Sequence, residues 1–184
     1  MEEKIIKEYI EKLNLWWIEE LDVRWFKDRE VYREIVPFIG TRQIIALTGL
    51  RRVGKTSIIK KIISEYLHNG FPKKNIFYFS LDDFLDIKLM ELLKIYEEII
   101  ETNLRNEKFL IALDEIQKLD NWSGQLKIVY DLLKRESYGF VRVNYLSKIV
   151  GKDIVFDFRV SKHVDNDIKI NSKEDNYKII DFIE

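Results

Sequence analysis

Gly49, Gly54, Lys55 and Thr56 stand at the spacing G-x-x-x-x-G-K-[ST], within the run Gly49-Leu50-Arg51-Arg52-Val53-Gly54-Lys55-Thr56. Glycines let a main chain fold into a tight nest whose N–H groups point inward, and a helix that follows adds its positive N-terminal end. Such a cradle suits phosphate oxygens. Lys55 can reach the β- and γ-phosphates of a nucleoside triphosphate, and the Thr56 hydroxyl is placed to ligate Mg2+. Within the loop, Val53 is a further candidate for binding the nucleotide, as are Arg51 and Arg52, which either touch phosphate or an adjacent subunit, or are solvated loop arginines.

A phosphate cradle alone binds; hydrolysis needs a second carboxylate site. The run "FLIALDEI" offers one, an apolar stretch leading into Asp114-Glu115. Asp114 would hold the Mg2+ shell and Glu115 would polarise an attacking water, which makes Lys55 and Glu115 the candidate catalytic pair. The alternative is a strand capped by a surface acidic pair. Asp82 and Asp83 follow another apolar run and either act on the same metal and water or, like Asp86, cap the next helix. Lys118 and Trp122 fall close enough after the acidic pair to line its rim.

These groups need elements to position them. Residues 43 to 48 read as a strand buried on both faces, because they are apolar without alternation. A helix is predicted from Lys55 to about Asn69, stopped by Asn69-Gly70 and Pro72. Strands are predicted over Asn75–Ser80 and Lys108–Asp114, with amphipathic helices over Asp86–Asn103 and Leu119–Glu136. Strands alternating with helices imply a parallel sheet with right-handed crossovers. Upstream, Ile5, Ile6, Tyr9, Ile10, Leu13 and Trp17 recur at helical spacing over residues 3 to 18. Trp16, Trp17 and Trp25 would form either a base-stacking platform or a packing surface at the edge of the sheet. After Glu136, "YGFVRVNYL" and "DIVFDFRVS" are strand-like with no helix between them, and the tail is polar until "YKIIDFI".

The bulk properties narrow the classes. The chain has 184 residues, 46% hydrophobic and 34% charged, with a formal net charge of −1. That is a globular composition without a broad electrostatic footprint for nucleic acid or an anionic membrane. There is no cysteine and there are two histidines, His68 and His163, which excludes disulfides and thiolate metal sites. No apolar stretch approaches the roughly 20 residues of a membrane helix, and Met1-Glu2-Glu3-Lys4 does not read as a secretory signal. The expected setting is cytoplasmic, with no membrane partner.

"TGLRRVGKTSIIKKI", "NIFYFSLDD" and "FLIALDEIQKLDNW" together resemble the prokaryotic P-loop ATPases of the AAA-domain, or archaeal ATPase, type. The resemblance covers about residues 24 to 136. It implies the P-loop class with an additional strand between the loop strand and the metal-binding strand. It also implies that Gly49, Gly54, Lys55, Thr56 and Ser57 bind ATP and Mg2+, with Asp114 and Glu115 serving metal and water. The sequence departs from that family after Glu136, where a Thr-Gly-Ser-Ser-like turn is expected; Asn144 or Ser147 would replace it only if "FVRVNYLS" is a fourth strand. Arg135, Arg142 and Arg159 are the candidates for an arginine finger or lid arginine, and the chain reads as a shortened family member. Asp153 or Asp157 with Asp167-Ile168-Lys169 loosely matches a nuclease metal pattern, in a tail where Asp and Lys are common enough for chance.

The expected fold is therefore α/β: a three-layer P-loop NTPase core with a parallel sheet and flanking helices, N-terminal helices and a short β-rich C-terminal extension. Its expected divisions are an N-terminal helical segment (1–40), a P-loop ATPase core (41–136) and a strand-rich extension (137–184) that completes the sheet or forms a separate flap. The expected function is Mg2+-dependent ATP binding and hydrolysis, completed by self-association or a protein partner. The alternative is a truncated, non-catalytic nucleotide-binding module acting through a partner or DNA. The guanine-reading Asn-Lys-x-Asp motif is absent, which favours ATP over GTP.

Overall fold

A computed structural model describes residues 3–19, 30–39, 44–49, 52–84, 86–105, 107–132, 138–142 and 177–182. The described strands are β1 (Ile44–Gly49), β2 (Ile76–Ser80), β3 (Leu110–Asp114), β4 (Tyr138–Arg142) and β5 (Tyr177–Phe182). They form one sheet in the order β2-β3-β4-β1-β5, and every neighbouring pair is parallel. The described α-helices are α1 (Glu3–Leu13), α2 (Glu30–Ile35), α3 (Lys55–His68), α4 (Leu89–Ile100) and α5 (Trp122–Leu132).

The first three strands are apolar at consecutive positions because each face is covered by a different layer. Side chains alternate between the two. Ile45 and Leu47 of β1, Ile76 and Tyr78 of β2, and Leu110 and Ala112 of β3 pack with Ile58, Ile59, Ile62 and Ile63 of α3 and with Tyr32 and Ile35 of α2. Ile44, Phe77, Phe79, Ile111 and Leu113 face the other way, onto α1, α4 and α5. The result is an α/β/α sandwich with two hydrophobic cores separated by the sheet. Burial of each α3 isoleucine contributes about 1.5–3 kcal/mol, and the helix ends where Gly70 takes the left-handed conformation with φ 78°, which favours glycine.

The N-terminal segment differs from the single helix over residues 3 to 18 that its periodicity predicts. α1 stops at Leu13, and a short 3-10 turn follows over Leu15–Trp17. The reason is Asn14, whose side chain pairs with the edge strand β2 as another strand would. Its Oδ1 accepts the Tyr78 N–H at 2.8 Å and its Nδ2 donates to the Tyr78 carbonyl at 2.9 Å. Trp17 Nε1 donates to the Ile76 carbonyl at 3.0 Å and Trp16 Nε1 reaches the same oxygen at 3.4 Å. Asn14 is 1% exposed and Trp16 3%. Of the two readings of the tryptophans, Trp16 and Trp17 follow the packing one, at the sheet edge; Trp25 lies outside the described residues.

The strand-like "YGFVRVNYL" supplies β4, which inserts between β1 and β3. "YKIIDFI" supplies β5 on the far side of β1. Residues 153–161, Asn144, Ser147, Arg135, Arg159, His163 and the Asp167-Ile168-Lys169 group lie outside the described residues.

Candidate functional site

The site forms where β1 and β3 end. β1 runs to Gly49, and the chain then turns with Arg52 at φ 65° and Gly54 at φ 95°. Left-handed backbone alternating with ordinary backbone is how successive N–H groups are brought to face one point. At Gly54 the absent Cβ makes that conformation inexpensive. α3 starts immediately afterwards, at Lys55. Lys55 is buried, Thr56 and Val53 are half-buried, and Arg52 and Ser57 are exposed. Arg51 lies outside the described residues.

α3 crosses over β4 and β3, so its first turn meets the end of β3, two strands away from β1. Thr56 Oγ1 donates to Asp114 Oδ2 at 3.0 Å. The same carboxylate oxygen accepts from the Tyr78 hydroxyl, also at 3.0 Å. Asp114 is 3% exposed and Glu115 6%; the pair belongs to the interior, against the alternative of a surface acidic cap. The Asp114 carbonyl accepts the Leu81 N–H at 2.9 Å, tying the exits of β2 and β3 together. Glu115 takes the left-handed conformation, φ 57° and ψ 33°. Its Oε2 accepts from Gln117 Nε2 at 2.6 Å. Such backbone carries a strain of about 1–2 kcal/mol in a residue with a Cβ, and strain of this kind concentrates at functional sites.

Around this centre, Lys118 Nζ pairs with Asp82 Oδ1 at 2.5 Å and reaches the Asp82 carbonyl at 3.2 Å. The loops after β2 and β3 are thereby joined. Asp83 accepts from the Tyr9 hydroxyl at 3.4 Å. Burial, with the nearby Asp83 charge second, raises the Tyr9 hydroxyl pKa above its ordinary value. Neither Asp83 nor Asp86 caps the following helix, correcting that expectation. α4 begins at Leu89, and Gln125 Oε1 of α5 accepts its N–H at 2.7 Å. Trp122 packs half-buried against the core shared by α4 and α5.

Among the described residues no group of three or more His, Cys, Asp or Glu is gathered to enclose a metal. One hydroxyl and one carboxylate meet instead, beside a buried lysine and a turn suited to anions. That donor set fits Mg2+, which is held by one or two protein oxygens and completes its shell with phosphate oxygens and water. Two contributors carry no motif of their own, Tyr78 and Gln117. Tyr78 has one indirect signal: its register partner across the sheet is Ala112, a small residue on the same strand face as Asp114. Gln117 has none beyond its nearness to Glu115.

A family model described as an AAA domain matches residues 41–153. An uncharacterized protein of Methanocaldococcus jannaschii is 41% identical over 92 residues, which are 49% of this chain and 19% of that protein. An A-type ATP synthase subunit of Sulfolobus acidocaldarius is 25% identical over 70% of this chain and 26% of its own length. The chain thus spans about a fifth to a quarter of these curated relatives. Among solved structures, the Aeropyrum pernix ORC1 protein in complex with DNA superposes with a TM-score of 0.49 at 11% identity, over 76% of this chain and 45% of that one. C. elegans PCH-2 does so with a TM-score of 0.41 at 16% identity, over 79% and 37%. Among the described residues no helix is long and apolar enough to cross a membrane.

Proposed function

Because the chain belongs to the AAA domain family, we propose that it binds ATP with Mg2+ and hydrolyses the terminal phosphoanhydride bond. The observation that carries this reading is the 3.0 Å hydrogen bond from Thr56 to Asp114, which joins the phosphate loop to the acidic strand end. The turn from Gly49 through Arg52, Val53 and Gly54, with Ser57 beyond it, would cradle the phosphates, and Lys55 would reach the terminal ones. Thr56 and Asp114 would hold Mg2+. Bound there, the cation would neutralise phosphate charge as the bond breaks.

Glu115 would accept a proton from the attacking water as its oxygen bonds to the terminal phosphorus. The electron pair of the broken P–O bond would leave with ADP. Burial of Asp114 and Glu115 supports this role, since a dry site strengthens each electrostatic contact. Arg51 and Arg52 would contact phosphate or a neighbouring protomer, and self-association or a protein partner would complete the site. Residues 41–136 would act as the nucleotide-gripping core, 1–40 as a supporting arm and 137–184 as the part that completes the sheet.

The test compares phosphate release from ATP and Mg2+ by wild type, Glu115→Gln and Lys55→Ala, with ATP binding measured in parallel. Wild type should turn over at least about a hundredfold faster than Glu115→Gln, the lower range for loss of a general base, while both bind ATP. Lys55→Ala should bind ATP at least about tenfold more weakly, as expected for loss of a hydrogen-bonded charge. Equal release by wild type and Glu115→Gln would reduce the protein to a nucleotide-binding module. A wild type that fails to bind ATP would remove both readings.

A further inference from the structure

Tyr78 is one of the two residues of the candidate site that neither the loop pattern nor the acidic pair announces. It lies in the middle of β2, 5% exposed, and its ring packs in the core beneath α3. Its register partner on β3 is Ala112. Side chains two residues apart on a strand share a face, so Asp114 lies diagonally across from Tyr78. A diagonal neighbour is within reach of an aromatic side chain, and the alanine methyl leaves room for the ring to lean that way. The hydroxyl thereby donates to Asp114 Oδ2 at 3.0 Å, the oxygen that also accepts from Thr56. At the other end of the same residue, Asn14 holds the Tyr78 N–H and carbonyl at 2.8 and 2.9 Å.

We infer that Tyr78 is a positioning residue for the metal site: its hydroxyl fixes the Asp114 carboxylate for Mg2+, and the N-terminal arm, through Asn14, fixes Tyr78. A buried carboxylate attached by one χ1 and one χ2 torsion can rotate away from Thr56. Two donors arriving at one oxygen from different elements restrict that rotation. Partners in this outer position orient a metal-ligating carboxylate, and removing one typically costs about 10–100-fold in metal affinity. The continuous contact from Asn14 to Tyr78 to Asp114 to Thr56 also places the arm, two contacts removed, in mechanical connection with the site. This inference rests on the reading that Thr56 and Asp114 hold Mg2+.

The test uses the full chain bound to a non-hydrolysable ATP analogue and titrated with Mn2+, followed by electron paramagnetic resonance. Tyr78→Phe keeps the ring and its packing and removes the donor alone; thermal melting checks that it is folded. It should bind the analogue without metal as wild type does, and bind Mn2+ about tenfold more weakly. Tyr96→Phe serves as the control. It loses a buried hydroxyl that donates to the Lys74 carbonyl, outside the site, and should keep wild-type Mn2+ affinity. Equal Mn2+ affinity in Tyr78→Phe and wild type overturns the positioning role and leaves the nucleotide reading standing. An equal loss in Tyr96→Phe also overturns it, by assigning the effect to general loosening. A wild type that binds the analogue but no Mn2+ overturns the metal assignment and this inference with it.

Discussion

Thr56 and Asp114, 58 residues apart in the chain, share a hydrogen bond of 3.0 Å at the place where α3 begins and β3 ends. Two segments that look independent in sequence are thus held at one oxygen. Replacing Asp114 by Asn keeps the shape and an acceptor for Thr56 while removing the charge a cation needs. The Mg2+ concentration for half-maximal phosphate release should rise at least about tenfold, measured by titrating Mg2+ at saturating ATP. An unchanged Mg2+ requirement would remove Asp114 from the metal shell.

Gly54 sits at φ 95° immediately before α3. A Cβ there costs about 1–2 kcal/mol in backbone strain. Gly54→Ala should relax the turn away from its present shape, weakening ATP binding by about five- to thirtyfold for that energy. Calorimetric titration reads the affinity, and a parallel melt shows whether the strain instead appears as lost stability. Wild-type affinity with a wild-type melt would mean the turn does not need this conformation.

Asn14 supplies both halves of a missing strand partner to Tyr78. Asn14→Ala takes the Asn14 amide away from the buried N–H and carbonyl of Tyr78, at about 1–3 kcal/mol. Urea unfolding should report that loss. Light scattering should report association, because an uncovered edge strand offers itself to another chain. A variant that stays as stable and as monodisperse as the parent would mean water replaces the amide without penalty.

Burial, with the Glu107 charge second, pushes the Tyr96 hydroxyl far above the ordinary tyrosine value. Below about pH 10, the ordinary value, folded and unfolded chains both keep this proton. Above it, only the unfolded chain releases it, so the folded state binds more protons and stability falls as pH rises. Denaturant midpoints measured from about pH 8 to about pH 11, a range that brackets the ordinary tyrosine value, should decline in wild type and decline less in Tyr96→Phe. Tyr9, shifted in the same direction, accounts for part of what remains. Identical slopes would show that the Tyr96 hydroxyl is not protected by the fold.

What was legible in the sequence was local and periodic. The apolar runs at Ile44, Ile76 and Leu110 named three strands to within about two residues, since burial on both faces leaves little choice of residue type. The glycine spacing located the turn between β1 and α3, because φ above zero at Gly54 limits what can stand there. The features that stayed hidden join distant segments through single atoms. Asn14 reads as an ordinary polar residue after a helix, and only the proximity of Tyr78, 64 residues on, turns it into a strand substitute. Tyr78 itself reads as one more apolar position of a buried strand, and its hydroxyl matters only because β3 is its neighbour. The N-cap expected from Asp83 or Asp86 failed for the same reason: Gln125, 36 residues beyond Leu89, reaches the helix start first.

The sheet order has a consequence for how the protein is made. β4 lies between β1 and β3, yet it is synthesised after both. While residues up to Asp114 emerge from a ribosome, the two strands that flank the site lack the strand that separates them. If they paired with each other, the insertion would have no slot to enter. The central register is therefore set only after Arg142 has been added, and non-local pairing of this kind is slow. A nascent chain paused before Tyr138 carries every side chain of the candidate site and has no finished frame to hold them in.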